Sequence, residues 1–220
     1  MKKLNFILLG IIWASLLSCS NDGENSDTDQ GQMAPALRTN IVDAAFEQAL
    51  VDLGIDDVVD GSVLTSEAEM VTSLIMNDKG ITSLQGISDF VMLDNLWVND
   101  NQISSLNLSG NTLLKFIYVQ NNALTSINVS NLDVLEKLSV PGNNLTQLDI
   151  SDSSTLQLLE INDNTLGAID LSAIPNSLQL NTFAVENNPL TCIKVNEEIL
   201  NDIPAQWTKD MDDNYALNCN

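Results

Sequence analysis

One feature governs what this chain can fold into: a short repeat. Around Asn101, the residues Leu93, Leu96, Val98, Asn101, Ile103, Leu106 and Leu108 spell L-x-x-L-x-V-x-x-N-x-I-x-x-L-x-L. A shift of 21 residues returns the pattern as Leu114, Ile117, Val119, Asn122, Leu124, Ile127 and Val129. Two more such shifts give Leu135, Leu138, Val140, Asn143, Leu145, Leu148 and Ile150, then Leu156, Leu159, Ile161, Asn164, Leu166, Ile169 and Leu171. A fifth copy, set 24 residues on, reads Leu180, Phe183, Val185, Asn188, Leu190, Ile193 and Val195. A divergent first copy, Val71, Leu74, Met76, Lys79, Ile81 and Leu84, has Lys79 in place of the Asn. Units this short cannot bury an apolar face alone, so they must stack into a solenoid with atypical units at its ends.

Within each unit the L-x-V segment predicts a strand whose alternate side chains enter the core, and stacked strands build a parallel sheet. The Asn side chain carries both donor and acceptor, which suits it to satisfy backbone groups left unpaired where the chain leaves the strand. Asn101, Asn122, Asn143, Asn164 and Asn188 are therefore expected to form a structural ladder rather than a ligand-binding row. The pattern resembles the short leucine-rich repeats of bacterial internalin-like proteins. That resemblance implies an α/β leucine-rich-repeat solenoid with a curved parallel sheet on its concave face. Residues 71–195 would be the repeats. Upstream, Ile41, Ala45, Phe46, Ala49, Leu50 and Leu53 are spaced for one face of a helix over Asn40–Gly54, an amphipathic N-terminal cap within 39–70. Residues 196–220 remain for a C-terminal cap.

The N-terminus addresses the compartment. Lys2 and Lys3 precede an apolar stretch, Phe6 to Leu17, that is short for a membrane span and reads as an export signal at 1–18. It ends Leu16-Leu17-Ser18-Cys19, which resembles the lipobox of bacterial lipoproteins and implies lipid attachment at Cys19. Ser20-Asn21-Asp22-Gly23-Glu24 resembles the signal that sends some Gram-negative lipoproteins to the outer face of the outer membrane, so the expected location is lipid-anchored at the cell surface. From Ser20 to Gln32 the composition is too polar to offset ordering entropy, and 19–38 is expected to be a tether. With Cys19 acylated, Cys192 and Cys219 are the two remaining thiols of an exported chain and are expected to form a disulfide that closes the C-terminal cap.

Charge narrows the partners. Loss of Lys2 and Lys3 with the signal leaves 6 basic against 30 acidic residues, a net −24. Phosphate binding needs clustered Lys and Arg, so nucleic acid is excluded as a partner, and the membrane is expected to be met only through the N-terminal lipid. The chain has no His and no Gly-rich phosphate loop, so no catalytic residues and no cofactor are assigned. Asp56, Asp60, Gly61 and Glu67 match positions 1, 5, 6 and 12 of the calcium-loop pattern, but Val58 stands at position 3. The competing reading is an Asp-Gly turn between cap and first strand, and no metal site is assigned there.

Alternation also identifies the outward strand residues. The central column runs Ile75, Trp97, Tyr118, Ser139, Glu160 and Ala184. It is flanked by Ser73, Asn95, Phe116, Lys137, Leu158 and Thr182 and by Asn77, Asn99, Gln120, Pro141, Asn162 and Glu186. Trp97, Phe116 and Tyr118 thus cluster beside Ile75, with Asn95, Asn99 and Gln120 as a hydrogen-bonding rim. Large rings placed outward mark a binding patch, although rings on adjacent strands also stabilise one another. The expected partner is a protein, on a host or neighbouring-cell surface, as the internalin resemblance implies; a glycan stacked on the rings is the alternative.

Overall fold

The computed structural model describes residues 36–176 and 178–219. The export signal at 1–18, Cys19 and the tether as far as Pro35 lie outside the described residues. The chain enters through β1 (Arg38–Asn40), turns into α1 (Ala44–Asp52), and returns as β2 (Ser62–Leu64), antiparallel to β1 and followed by the short α2 (Thr65–Ala68). The helix is shorter than Asn40–Gly54. Asp43 caps it, its Oδ1 accepting from the N–H groups of Ala45 and Phe46, so Asn40 to Val42 stay extended and Ile41 reaches the core from outside the helix. Leu53 is half-exposed at the C-cap, and Gly54, at φ +74°, turns the chain away.

Six three-residue strands follow at the predicted positions: β3 (Ser73–Ile75), β4 (Asn95–Trp97), β6 (Phe116–Tyr118), β8 (Lys137–Ser139), β9 (Leu158–Glu160) and β11 (Thr182–Ala184). They form one parallel sheet in the order β11-β9-β8-β6-β4-β3, each residue opposite its repeat equivalent. Leu74, Leu96, Ile117, Leu138, Leu159 and Phe183 point inward from their centres and are fully buried.

The second half of the motif is also extended, which the repeat reading did not specify. The I-x-x-L-x-L segments give β5 (Ser105–Asn107), β7 (Ser126–Asn128), β10 (Ala168–Asp170) and β12 (Cys192–Lys194). β5 pairs with β7, and β10-β12 continue to β13 (Tyr215–Ala216), but residues 147–149 form no strand between these groups. Within the repeats the only helical element described is a 3-10 turn at Ile87–Asp89, because 21 residues already spent on two strands and their turns leave no room for an α-helix. Asn107, Asn128, Asp149 and Asp170 each accept, through Oδ1, the N–H of the Ser two residues on, an Asx turn repeated at the same corner.

The Asn ladder does what its chemistry predicts. Asn143 Oδ1 accepts from Leu124 N–H at 3.0 Å, and its Nδ2 donates to the carbonyls of Val119 and Val140 at 2.9 and 3.0 Å. Asn101, Asn122, Asn164 and Asn188 repeat the arrangement. The residue before each ladder position is left-handed: Asp78, Asp100, Asn121, Gly142, Asp163 and Asn187 have φ between 52° and 66°. Only Asp, Asn and Gly occupy these sites, the residue types that adopt this conformation most cheaply.

The ends are closed by polar clamps and aromatic packing. Asp43 Oδ2 accepts from the Thr82 N–H and hydroxyl and from Ser83 N–H, tying the N-terminal cap to the first repeat. At the other end Trp207 packs edge-on against Phe183, ring centroids 5.2 Å apart, and donates its indole N–H to the Leu180 carbonyl. A short helix α3 (Glu197–Asn201) precedes it, and the Cys192–Cys219 disulfide joins the segment to β12.

Candidate functional site

The strand register fixes the face. Ile75, Trp97 and Tyr118 are directly opposite one another across β3, β4 and β6, and Asn95 lies opposite Phe116. Ile75 is 57% and Trp97 37% exposed, whereas Tyr118 and Phe116 are partly covered. The Trp97 and Tyr118 rings are 4.5 Å apart between centroids, tilted by 44°, so each ring stiffens the other while part of the pair stays open. Lys137 Nζ stands 5.4 Å from the Phe116 centroid, a cation–π contact that places the base beside the patch.

The amide rim is only partly available to a ligand. Asn77 Oδ1 accepts the N–H of Asn99 at 2.8 Å, and Asn99 Oδ1 accepts that of Gln120 at 2.9 Å. The series stops at Gln120 because the next residue in the column is Pro141, which has no N–H to donate. Gln120 Nε2 instead donates to the Ser139 hydroxyl at 2.8 Å, and Ser139 donates to Glu160 Oε2 at 2.7 Å. Asn95 Nδ2 donates to the neighbouring Asp94 carboxylate. Ser139 is fully buried, so this relay runs from the rim across the central column and holds the Glu160 carboxylate in place. Ser139 and Glu160 stand in the central column that alternation predicts, but alternation does not show that the two are joined. Their shared column was the available signal, and Pro141 was the clue that Gln120 would turn toward them.

The loop carrying the calcium-like pattern is organised differently. Glu47, buried in α1, takes the N–H groups of Asp60, Gly61 and Ser62 on Oε1 at 2.8, 2.6 and 2.9 Å. Asp60 faces Arg38, whose Nη2 is 3.2 Å from both carboxylate oxygens, and it also accepts from the Ser62 hydroxyl. Hydrogen bonds from Ser62, opposed by slight burial and helped by the Arg38 charge, hold the Asp60 carboxyl below the usual range. Asp56, Asp60 and Glu67 are not gathered around a common point: among the described residues no group of three or more acidic, His or Cys side chains is placed to hold a metal ion.

The concave face is an open sheet. A cleft of about 320 Å³ lies instead among the outer turns, between Ser83–Ser88 and Ser105–Asn107. Enclosed pockets suit small ligands, whereas an exposed sheet about 24 Å from first strand to last suits an extended surface or chain.

No protein-family model matches the sequence, and no curated protein matches it. Solved structures do. The functional domain of InlJ from Listeria monocytogenes, which includes a cysteine ladder, superimposes with a TM-score of 0.63 at 26% identity. The match covers 74% of this chain and 39% of the InlJ chain, so this chain spans well under half of that protein's solved length. Internalin C2 from the same organism matches at 21% identity with a TM-score of 0.52, over 83% of this chain and 92% of its own, and shares the fold. The repeat register, the continuous inner sheet and the asparagine ladder show a leucine-rich-repeat solenoid, and these likenesses show that it is similar to the solved Listeria internalins.

Proposed function

We propose that the chain is a non-catalytic protein-binding module, held at the cell surface by a lipid on Cys19, that seizes its partner through the N-terminal half of the concave face. The observation that carries this reading is the Trp97–Tyr118 pair, in register with exposed Ile75 and flanked by Phe116 on the N-terminal half of the inner sheet. Large aromatic side chains left open on a rigid sheet are the residues that dominate binding energy at interfaces. Six strands with their rims can supply the roughly 800 Å² per partner that stable recognition needs. Asn95, Asn99 and Gln120 border the patch, and each keeps amide capacity beyond its internal bonds. The internalin-like scaffold supports a binding role at a surface rather than an enzymatic one. No helix among the described residues is long and apolar enough to cross a membrane.

A glycan is the second reading, supported by the same ring pair bordered by amides, since rings stack on sugar faces while amides bond hydroxyl groups. The test is binding of residues 36–220 to parallel arrays of surface proteins and of glycans, with Trp97→Ala/Tyr118→Ala as the comparison. Protein signal that disappears in the double variant supports the adhesion reading. Loss confined to glycan spots transfers the site to sugars, and signal indifferent to both substitutions removes the concave patch from the account.

A further inference from the structure

We infer that the segment of the partner seated on the concave face is an extended chain bearing a Lys or Arg four residues from an apolar or aromatic anchor, with the anchor against Trp97–Tyr118 and the base on Glu160. This rests on the concave-face reading above and gives the partner its chemistry.

The face is divided. Its N-terminal half presents Ile75, Trp97, Phe116 and Tyr118, and its C-terminal half presents Glu160 with Glu186 diagonal to it on the next repeat. The Glu160 carboxylate is aimed rather than loose, because Oε2 takes the hydroxyl of fully buried Ser139 while that hydroxyl receives the Gln120 amide. Oε1 is left for another donor. No base neutralises it: the ion pairs among the described residues are Arg38–Asp60, Lys79–Asp52 and Lys194–Asp170. Lys137, the one cation in the outward columns of this sheet, rests over Phe116. A pre-oriented carboxylate of this kind gains most from a charge-assisted bond to Lys or Arg.

Spacing sets the register of the partner. Glu160 is two strands from Tyr118 and three from Trp97, which at about 4.8 Å per strand is about 10 to 14 Å across the sheet. An extended chain advances about 3.3 Å per residue and alternates its side chains between two faces, so anchor and base fall about four residues apart, the spacing in this range that turns both toward the sheet. The net charge of −22 adds a long-range attraction for a basic segment and a repulsion for acidic ones.

The probe is a displayed library of random ten-residue peptides selected on residues 36–220, with the enriched peptides then synthesised and titrated. We expect enrichment of an aromatic or large aliphatic residue with Lys or Arg four positions away. Glu160→Gln, which keeps an oxygen for the Ser139 hydroxyl, should weaken these peptides at least tenfold, and Glu160→Lys should invert the preference to peptides carrying Glu at the same spacing. Enriched peptides that need Trp97 and Tyr118 but bind Glu160→Gln unchanged would overturn the basic-segment inference and leave the concave site standing. Peptides indifferent to all three residues would overturn both readings, and no enrichment over a Trp97→Ala/Tyr118→Ala/Glu160→Gln comparison counts against the inference as well.

Discussion

Replacing Asn143 by Ala separates a structural ladder from a ligand-binding one. The substitution removes the acceptor for Leu124 N–H and the donor to the Val119 and Val140 carbonyls, all at about 3 Å. The carbonyls are partly compensated, because Val140 also accepts from Asn164 and Val119 from Asn122. Leu124 is not: it is fully buried, and its N–H would face neither water nor another acceptor. An orphaned buried donor costs about 1–3 kcal/mol, and the lost bonds and the void from a side chain only 7% exposed add to it, so the expected loss is about 3–4 kcal/mol. The companion Asn122→Ala should lose less, about 1–2 kcal/mol: it orphans the N–H of Ile103, a residue as buried as Leu124, but Asn122 is itself partly exposed, so water can enter the space its side chain leaves and take that N–H. Urea unfolding of residues 36–220 followed by circular dichroism gives both values. A loss below about 1 kcal/mol for Asn143→Ala, or equal losses at both sites, would refute the burial argument. If stability were unchanged while partner binding failed, the asparagines would be ligands after all.

Three other perturbations probe the caps and the outer core. Breaking the Cys192–Cys219 bridge by Cys192→Ser releases a loop of sequence separation 27, worth about 3.5 kcal/mol of unfolded-state constraint; in a Trp97→Phe background the emission of Trp207 should report earlier unfolding of the C-terminal cap. Asp43 answers to pH. Burial pushes its carboxyl up, but the Thr82 hydroxyl and the N–H groups of Phe46, Thr82 and Ser83 outweigh that and hold it below the usual range. Its contribution is therefore present above the ordinary carboxylate value near 4 and lost as the pH falls through the lower folded value. Asp43→Asn should cost about 1–2 kcal/mol at pH 7, with the gap to wild type closing in urea titrations as the pH falls below the ordinary carboxylate range. Ser153→Ala should raise the urea midpoint by about 1 kcal/mol equivalent, since the Ser153 hydroxyl is buried without a partner; an unchanged or lowered midpoint would mean the hydroxyl is satisfied by a bound water.

Ser153 also shows where sequence reading stopped short. Phe90, Asn111, Leu132, Ser153 and Ile174 occupy one repeat position and are all fully buried, yet two of the five are polar, so hydrophobic periodicity alone does not mark the column as core. The inner sheet was legible because every copy keeps an aliphatic or aromatic residue at its inward position and the copies stay in step. The outer strands were less so: Leu106 and Leu108 alternate as a strand does, but residues 147–149 keep the same pattern without the pairing, so the pattern alone does not fix which outer segments join.

At the candidate site the same distinction separates position from state. Alternation placed Trp97, Tyr118 and Glu160 on one face because a strand permits only two directions for a side chain. It did not say which polar groups on that face were already committed, since that depends on the backbone of the adjacent repeat. Pro141 decides the matter locally. By withholding an N–H it frees Gln120, which turns to Ser139, and Ser139 in turn aims Glu160. A missing donor in the fourth repeat thus connects the aromatic half of the face to its acidic half, making their separation a fixed distance against which a partner can be measured.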